Sequence, residues 1–145
     1  MRALIQRVTN ARVEVEGVCV GSIDRGLLVL LGVQRGDTPT CADAMAARLL
    51  RYRVFADAQG RMNLDVRAIG GGVLLVSQFT LVADTRKGLR PSFSEAAAPE
   101  LANSLYERVL QQLRAVHAPV ASGAFGADMQ VGLVNDGPVT FLLET

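Results

Sequence analysis

Gly26-Leu27-Leu28-Val29-Leu30-Leu31-Gly32-Val33 is continuously apolar and bounded by glycines, as expected of a strand buried on both faces. Before it, Leu4–Val8 reads as a first strand. Arg12–Gly21 then alternates, with Val13, Val15, Val18 and Val20 set against Arg12, Glu14 and Glu16. Gly17 interrupts the alternation and marks a hairpin turn or bulge.

Beyond the buried run, Asp37 or Thr38 supplies a cap and Pro39 a first helical position. Ala42, Met45, Ala46, Leu49 and Leu50 follow at helical spacing. Tyr52–Ala56 is expected to be extended, Asp57–Gly60 a turn and Asn63–Val66 a short strand. Gly70–Gly72 leads into Val73–Val82, the most β-like stretch, and Ala83–Phe93 reads as a polar loop. A second helix begins near Pro99, with an apolar stripe of Leu101, Leu105, Tyr106, Val109, Leu110, Leu113 and Val116. Pro119–Gly126 has no clear pattern. Met129–Val134 and Val139–Glu144 read as two last strands around a tight turn at Asn135-Asp136-Gly137-Pro138.

Strands outnumber helices, and both helices are one-sided. The expected fold is mixed α/β: a curved, mostly antiparallel sheet or partial barrel with two amphipathic helices packed on it. One domain spans residues 1–145, with no repeat, linker or low-complexity tract.

Composition narrows the chemistry. Half the residues are hydrophobic and a fifth charged, and 15 Lys and Arg face 14 Asp and Glu. That balance argues against coating long nucleic acid, though not against gripping a short single-stranded end. No apolar run reaches the length of a signal peptide or membrane span, and Cys19 and Cys41 form no C-x-x-C pair. The expectation is a cytoplasmic protein with two buried or half-buried thiols. A single histidine, His117, rules out multi-histidine metal sites, and its place near a helix end suits the helix dipole. No G-x-x-x-x-G-K-[ST] loop is present, and Gly70–Gly72 precedes a strand rather than a helix. No metal and no cofactor are expected. An enzyme built on this chain would work with backbone groups, hydroxyls, amides or groups of its substrate.

Two constellations remain. Ser77-Gln78-Phe79-Thr80 places three polar residues in the most apolar strand, where each must find a hydrogen-bond partner in neighbouring loops or in a ligand. Asn135-Asp136-Gly137-Pro138-Val139-Thr140 holds a Gly-Pro pair that is either an ordinary trans hairpin element or a cis bond presenting two carbonyls to one side.

The chain resembles the D-aminoacyl-tRNA deacylase family along essentially its whole length. The resemblance rests on Met1–Val8, Gly26–Val33, Met62-Asn63-Leu64, Ser77–Leu81, Arg90–Phe93 and Ala127–Thr140. The S-Q-F-T and N-x-G-P-V-T signatures stand intact at Ser77–Thr80 and Asn135–Thr140. It implies a homodimer acting on the 3′ end of aminoacyl-tRNA, with no membrane association. In that reading a cis Gly137–Pro138 pair enters the partner's active site as a backbone filter that rejects L substrates and lets glycyl-tRNA through. Ser77, Gln78, Phe79 and Thr80 are the implied catalytic residues, with oxyanion stabilisation assigned to the Phe79 and Thr80 amides. Gln78 is expected to position the substrate. Gly137, Pro138, Arg7 and Met129 are expected to bind it, with Arg7 supporting the Gly-Pro segment. Arg86-Lys87-Gly88-Leu89-Arg90 is a contact for acceptor-end phosphates or simply an exposed loop. Water attack assisted by the terminal 2′-hydroxyl is preferred over a Thr80 nucleophile, because no base is evident to activate Thr80. Two alternatives stay open: a small-molecule esterase or amidase using Thr80, and a non-catalytic dimer that binds RNA ends.

Overall fold

The computed structural model describes residues 1–145. The chain opens with β1 (Arg2–Val15), turns into β2 (Val18–Ile23) and continues through β3 (Gly26–Gly32) to α1 (Pro39–Arg51). The turn uses Glu16 and Gly17, both at positive φ (50° and 76°), and Val15 pairs with Val18 across it. Two consecutive positive-φ residues match the right-handed twist of the flanking strands. Leu4–Val8 and Arg12–Val15 are therefore one strand, and only the hairpin arm from Val18 is separate. Val18 and Val20 face solvent there, so the alternation does not bury both arms equally.

β4 (Phe55–Ala56) and β5 (Met62–Leu64) form a small separate hairpin. β6 (Gly72–Ser77) follows, then a 3-10 turn (Phe79–Val82), α2 (Pro99–Val116), β7 (Val120–Ser122) and β8 (Gln130–Glu144). The main sheet runs β2-β1-β3-β6-β7, with β8 on the other side of β1. β1 pairs antiparallel with β2, β3 and β8, whereas β3–β6 and β6–β7 are parallel. The sheet is thus mostly antiparallel, as expected, with a parallel section that strand patterns alone did not reveal. β3 is buried on both faces: Leu27, Val29 and Leu31 join the core under the helices, and Leu28 joins a smaller core on the opposite face with Val8, Val13, Leu74 and Val76. Gly21 lets β2 approach β7 so closely that a Cβ there would strike the Ser122 carbonyl. That approach brings the curved sheet close to closure.

α1 is capped by Thr38, whose hydroxyl accepts from the Cys41 amide, and Pro39 opens the helix. Its buried residues are Ala42, Met45, Ala46, Leu49 and Leu50, the stripe read from the sequence. In α2 the buried stripe is Leu105, Tyr106, Val109, Leu110 and Leu113, while Leu101 and Val116 at the two ends are exposed. The helices are tied by Arg108, which donates Nε and Nη2 to the Asp43 carboxylate at 2.7 and 2.8 Å. His117 ends α2, where its Nε2 donates to the Gly71 carbonyl at 2.8 Å. Cys41 is half-buried but Cys19 is exposed, contrary to the expectation for both thiols.

Tyr106 predicts how the fold responds to alkali. Its hydroxyl donates to the Leu75 carbonyl at 3.0 Å, and burial, then repulsion from Glu107, pushes its pKa up to about 12 from 10.0. The folded state holds the phenol protonated, so this contribution is intact below pH 10 and is lost as pH rises from 10 toward 12. A loss of about 2 kcal/mol is expected across that window. About half of that loss should appear between urea melts at pH 8 and pH 11, and Tyr106→Phe should flatten the alkaline fall.

Two segments depart from the sequence reading, and both shape the site. Val73–Val82 is not one strand. β6 ends at Ser77, opposite Leu31, and the Gln78 amide donates to the Leu31 carbonyl before the chain turns. Gly32 makes room for that turn, since a Cβ there would lie 2.9 Å from Val82 Cγ1 and 3.0 Å from the Gln78 carbonyl oxygen. Nor is residues 129–144 a hairpin. β8 is one strand that follows the whole of β1, and Asn135–Pro138 lies within it.

Candidate active site

The residues inside β8 form a bulge. Thr140 pairs with Gln6 and Asn135 with Val8, so the path from 135 to 140 on β8 faces only 6 to 8 on β1. The surplus residues loop outward. Asn135 and Thr140 pin the base: Asn135 Nδ2 donates to Thr140 Oγ1, and Asn135 Oδ1 accepts from the Val139 amide, each at 2.8 Å. Gln6 Nε2 also donates to Thr140 Oγ1, at 3.2 Å. Asn135 and Thr140 thus close the base of the bulge.

Arg7 braces the bulge from beneath. Its Nε donates to the Asp136 carbonyl at 3.0 Å and lies 3.2 Å from the Asp136 carboxylate, and its Nη1 donates to the Val54 carbonyl at 2.7 Å. The Gly137–Pro138 peptide is cis, as is Ala118–Pro119. Gly137 has φ +135°, and a Cβ on it would lie 2.8 Å from Val139 Cγ2 and 2.9 Å from Arg7 Nη2. Only glycine fits between the guanidinium and Val139. Gly137 and Pro138 are exposed at the tip.

A cavity lies elsewhere in the chain. It has a volume of about 480 Å³, and Ser77, Gln78 and Phe79 form its polar wall. Val76, Ala97, Ala102, Phe125, Met129 and Val131 supply much of its apolar lining. Gly123 admits the Met129 side chain, since a Cβ there would lie 2.7 Å from the sulfur. No Asp, Glu, His, Lys, Arg or Cys lines the cavity. Nor does any group of three His, Cys, Asp or Glu side chains come together in the chain.

The 3-10 turn decides what the polar wall offers. The amides of Phe79 and Thr80 donate to no acceptor in the chain, as is usual for the first N–H groups of a helical turn. Gln78 Nε2 donates to Thr80 Oγ1, so the neighbour of this hydroxyl is an amide donor and not a base. Arg2 Nη1 donates to the Leu81 carbonyl at 3.3 Å and holds the far end of the turn. Such a wall can hydrogen-bond a carbonyl or oxyanion without supplying a titratable side chain.

Ser77, Gln78, Phe79 and Met129 are thus brought together at the cavity. Thr80 sits just outside its lining, and Arg7, Gly137 and Pro138 form a separate cluster on β1 and β8. Phe125, Ala97 and Val131 were missed from the sequence. Phe125 lies in the patternless stretch after α2, and its ring centroid is 5.8 Å from that of the buried Tyr106, a contact between distant segments.

A family model described as D-Tyr-tRNA(Tyr) deacylase matches residues 4–144. A D-aminoacyl-tRNA deacylase of Pseudomonas fluorescens is 61% identical over 145 residues, covering 100% of both chains. One of Stutzerimonas stutzeri is 62% identical with the same coverage. Among solved structures, the c-Myc DNA Unwinding Element Binding Protein superposes with a TM-score of 0.95 at 42% identity, covering 100% of this chain and 99% of that one. A probable eukaryotic D-amino acid tRNA deacylase shares the fold, with a TM-score of 0.83 at 18% identity over 99% of this chain and 98% of that chain. The chain belongs to the D-aminoacyl-tRNA deacylase family of hydrolytic enzymes. No helix is long and apolar enough to cross a membrane.

Proposed function

We propose that this protein hydrolyses the ester bond of D-aminoacyl-tRNA, releasing free D-amino acid and tRNA. The full-length similarity to relatives bearing that name carries the reading. The cavity is a fitting seat for the aminoacylated terminal adenosine, with the ester carbonyl toward the unpaired amides of Phe79 and Thr80. Those donors would stabilise the oxyanion, a contribution of roughly 3 kcal/mol for one well-placed group. Gln78 would position the ester and fix the Thr80 hydroxyl.

Chirality is assigned to Gly137 and Pro138. Carbonyls held rigidly beside the substrate α-carbon leave room for hydrogen and clash with a side chain, so L esters are excluded and glycyl esters pass. In one chain this pair does not line the cavity. The reading therefore requires a homodimer in which each bulge, braced by Arg7, completes the partner's site.

The attacking water is assigned to help from the terminal 2′-hydroxyl, because no side-chain base lines the cavity. Thr80→Ala should then retain activity within about tenfold, and a 3′-terminal 2′-deoxyadenosine substrate should be cleaved at least about 100-fold more slowly. Single-turnover hydrolysis of D-tyrosyl-tRNA measures both. A Thr80 nucleophile requires the reverse pattern, with activity abolished in Thr80→Ala and little dependence on the 2′-hydroxyl.

A further inference from the structure

Phe79 and Phe93 form an exposed aromatic pair beside the cavity. Their ring centroids are 5.0 Å apart with the planes tilted by 53°, and the residues are 57% and 41% exposed. Phe79 lines the cavity and Phe93 does not, so the pair continues the cavity wall onto the open surface. Uncovered in the single chain, the pair offers aromatic faces at the rim of the cavity.

The loop that ends in Phe93 adds charge. Asp84 and Ser92 close its base through reciprocal backbone bonds of 2.7 and 3.0 Å. Arg86 is engaged by the Asp84 carboxylate at 2.8 Å, which leaves Lys87 and Arg90 as exposed cations in no ion pair. Gly88, at φ +68°, turns the tip between them, and Leu89 is fully exposed. Stacking faces next to unpaired cations are the two elements that hold single-stranded nucleic acid: bases lie on the rings and phosphates meet the charges.

We propose that the Phe79–Phe93 shelf and the Lys87/Arg90 loop hold the unpaired nucleotides preceding the terminal adenosine, with a base on Phe93 and phosphates on Lys87 and Arg90. This rests on reading the adjoining cavity as the seat of that adenosine. The strand leaving the cavity past Phe79 then meets Phe93 next. The shelf gives the protein a hold on RNA that needs no strongly basic overall charge.

The test measures binding of uncharged tRNA, intact or lacking its three 3′-terminal nucleotides, by fluorescence anisotropy over a range of salt. Wild type should prefer intact tRNA. Phe93→Ala should weaken intact tRNA roughly tenfold and leave trimmed tRNA unchanged. Lys87→Ala with Arg90→Ala, two exposed changes, should lower the salt slope by about 1 to 2. Equal binding of both RNAs by wild type, or wild-type behaviour of both variants, would overturn the proposal. So would an altered oligomeric state of Phe93→Ala in sedimentation, since the shelf would then be a subunit contact. Uncharged RNA reports binding whether or not the ester is cleaved. Loss of the preference in Phe93→Ala alongside a wild type that spares D esters would uphold the shelf and reject the deacylase reading.

Discussion

Gly137→Ala is expected to lower kcat/KM for D-tyrosyl-tRNA on the order of 100-fold while the protein stays folded. The added methyl group enters the space between Val139 Cγ2 and Arg7 Nη2, 2.8 and 2.9 Å from its position, on a residue whose φ of +135° suits only glycine. Something must shift. The base of the bulge is fixed by Asn135, Thr140 and the β1 pairing, so the shift falls on the 136–138 tip and on the Arg7 bonds that brace it. The cost to stability is about 1–3 kcal/mol, which urea melts can measure. If the tip carries chiral selection, a small displacement damages placement of the α-carbon far more than it damages folding. Activity within threefold of wild type in a folded Gly137→Ala protein would remove the bulge from the site.

How much of this was legible in the sequence follows from which features are local. The helices were readable because caps and apolar spacing lie within a few residues: Thr38 and Pro39 start α1, and the buried positions of α1 are the apolar ones. The doubly buried β3 was readable because a strand covered on both faces has no polar positions. Where β6 ends was not readable, because Phe79–Val82 is as apolar as a strand and only the Leu31–Gln78 bond and the space at Gly32 turn it into a helical turn. The bulge failed in the opposite sense. Asn-Asp-Gly-Pro has turn chemistry, but β1 is long enough to pair on both sides of it, so tertiary pairing overrode the local signal.

The site divides in the same way. Ser77–Thr80 and Asn135–Thr140 stood out as polar residues in apolar surroundings, and the family resemblance attached roles to them. Phe125 and Ala97 had no local signal, because their place in the cavity depends on segments far apart in the chain. Arg7 is intermediate. Its charge in an apolar strand was visible, but its bonds to Asp136 and Val54 come from strand pairing.

The most direct test of the central claim is the rate at which purified protein releases amino acid from D-tyrosyl-tRNA and L-tyrosyl-tRNA, with a chelator present. The steric filter predicts rapid loss of the D ester and an L ester that decays no faster than in buffer, a difference of at least about 1,000-fold. Sterically excluding a group at a rigid wall costs several kcal/mol, and each 1.4 kcal/mol is a factor of ten. Equal release of both esters would contradict chiral selection by the Gly137–Pro138 bulge. Release of neither would contradict the deacylase reading itself.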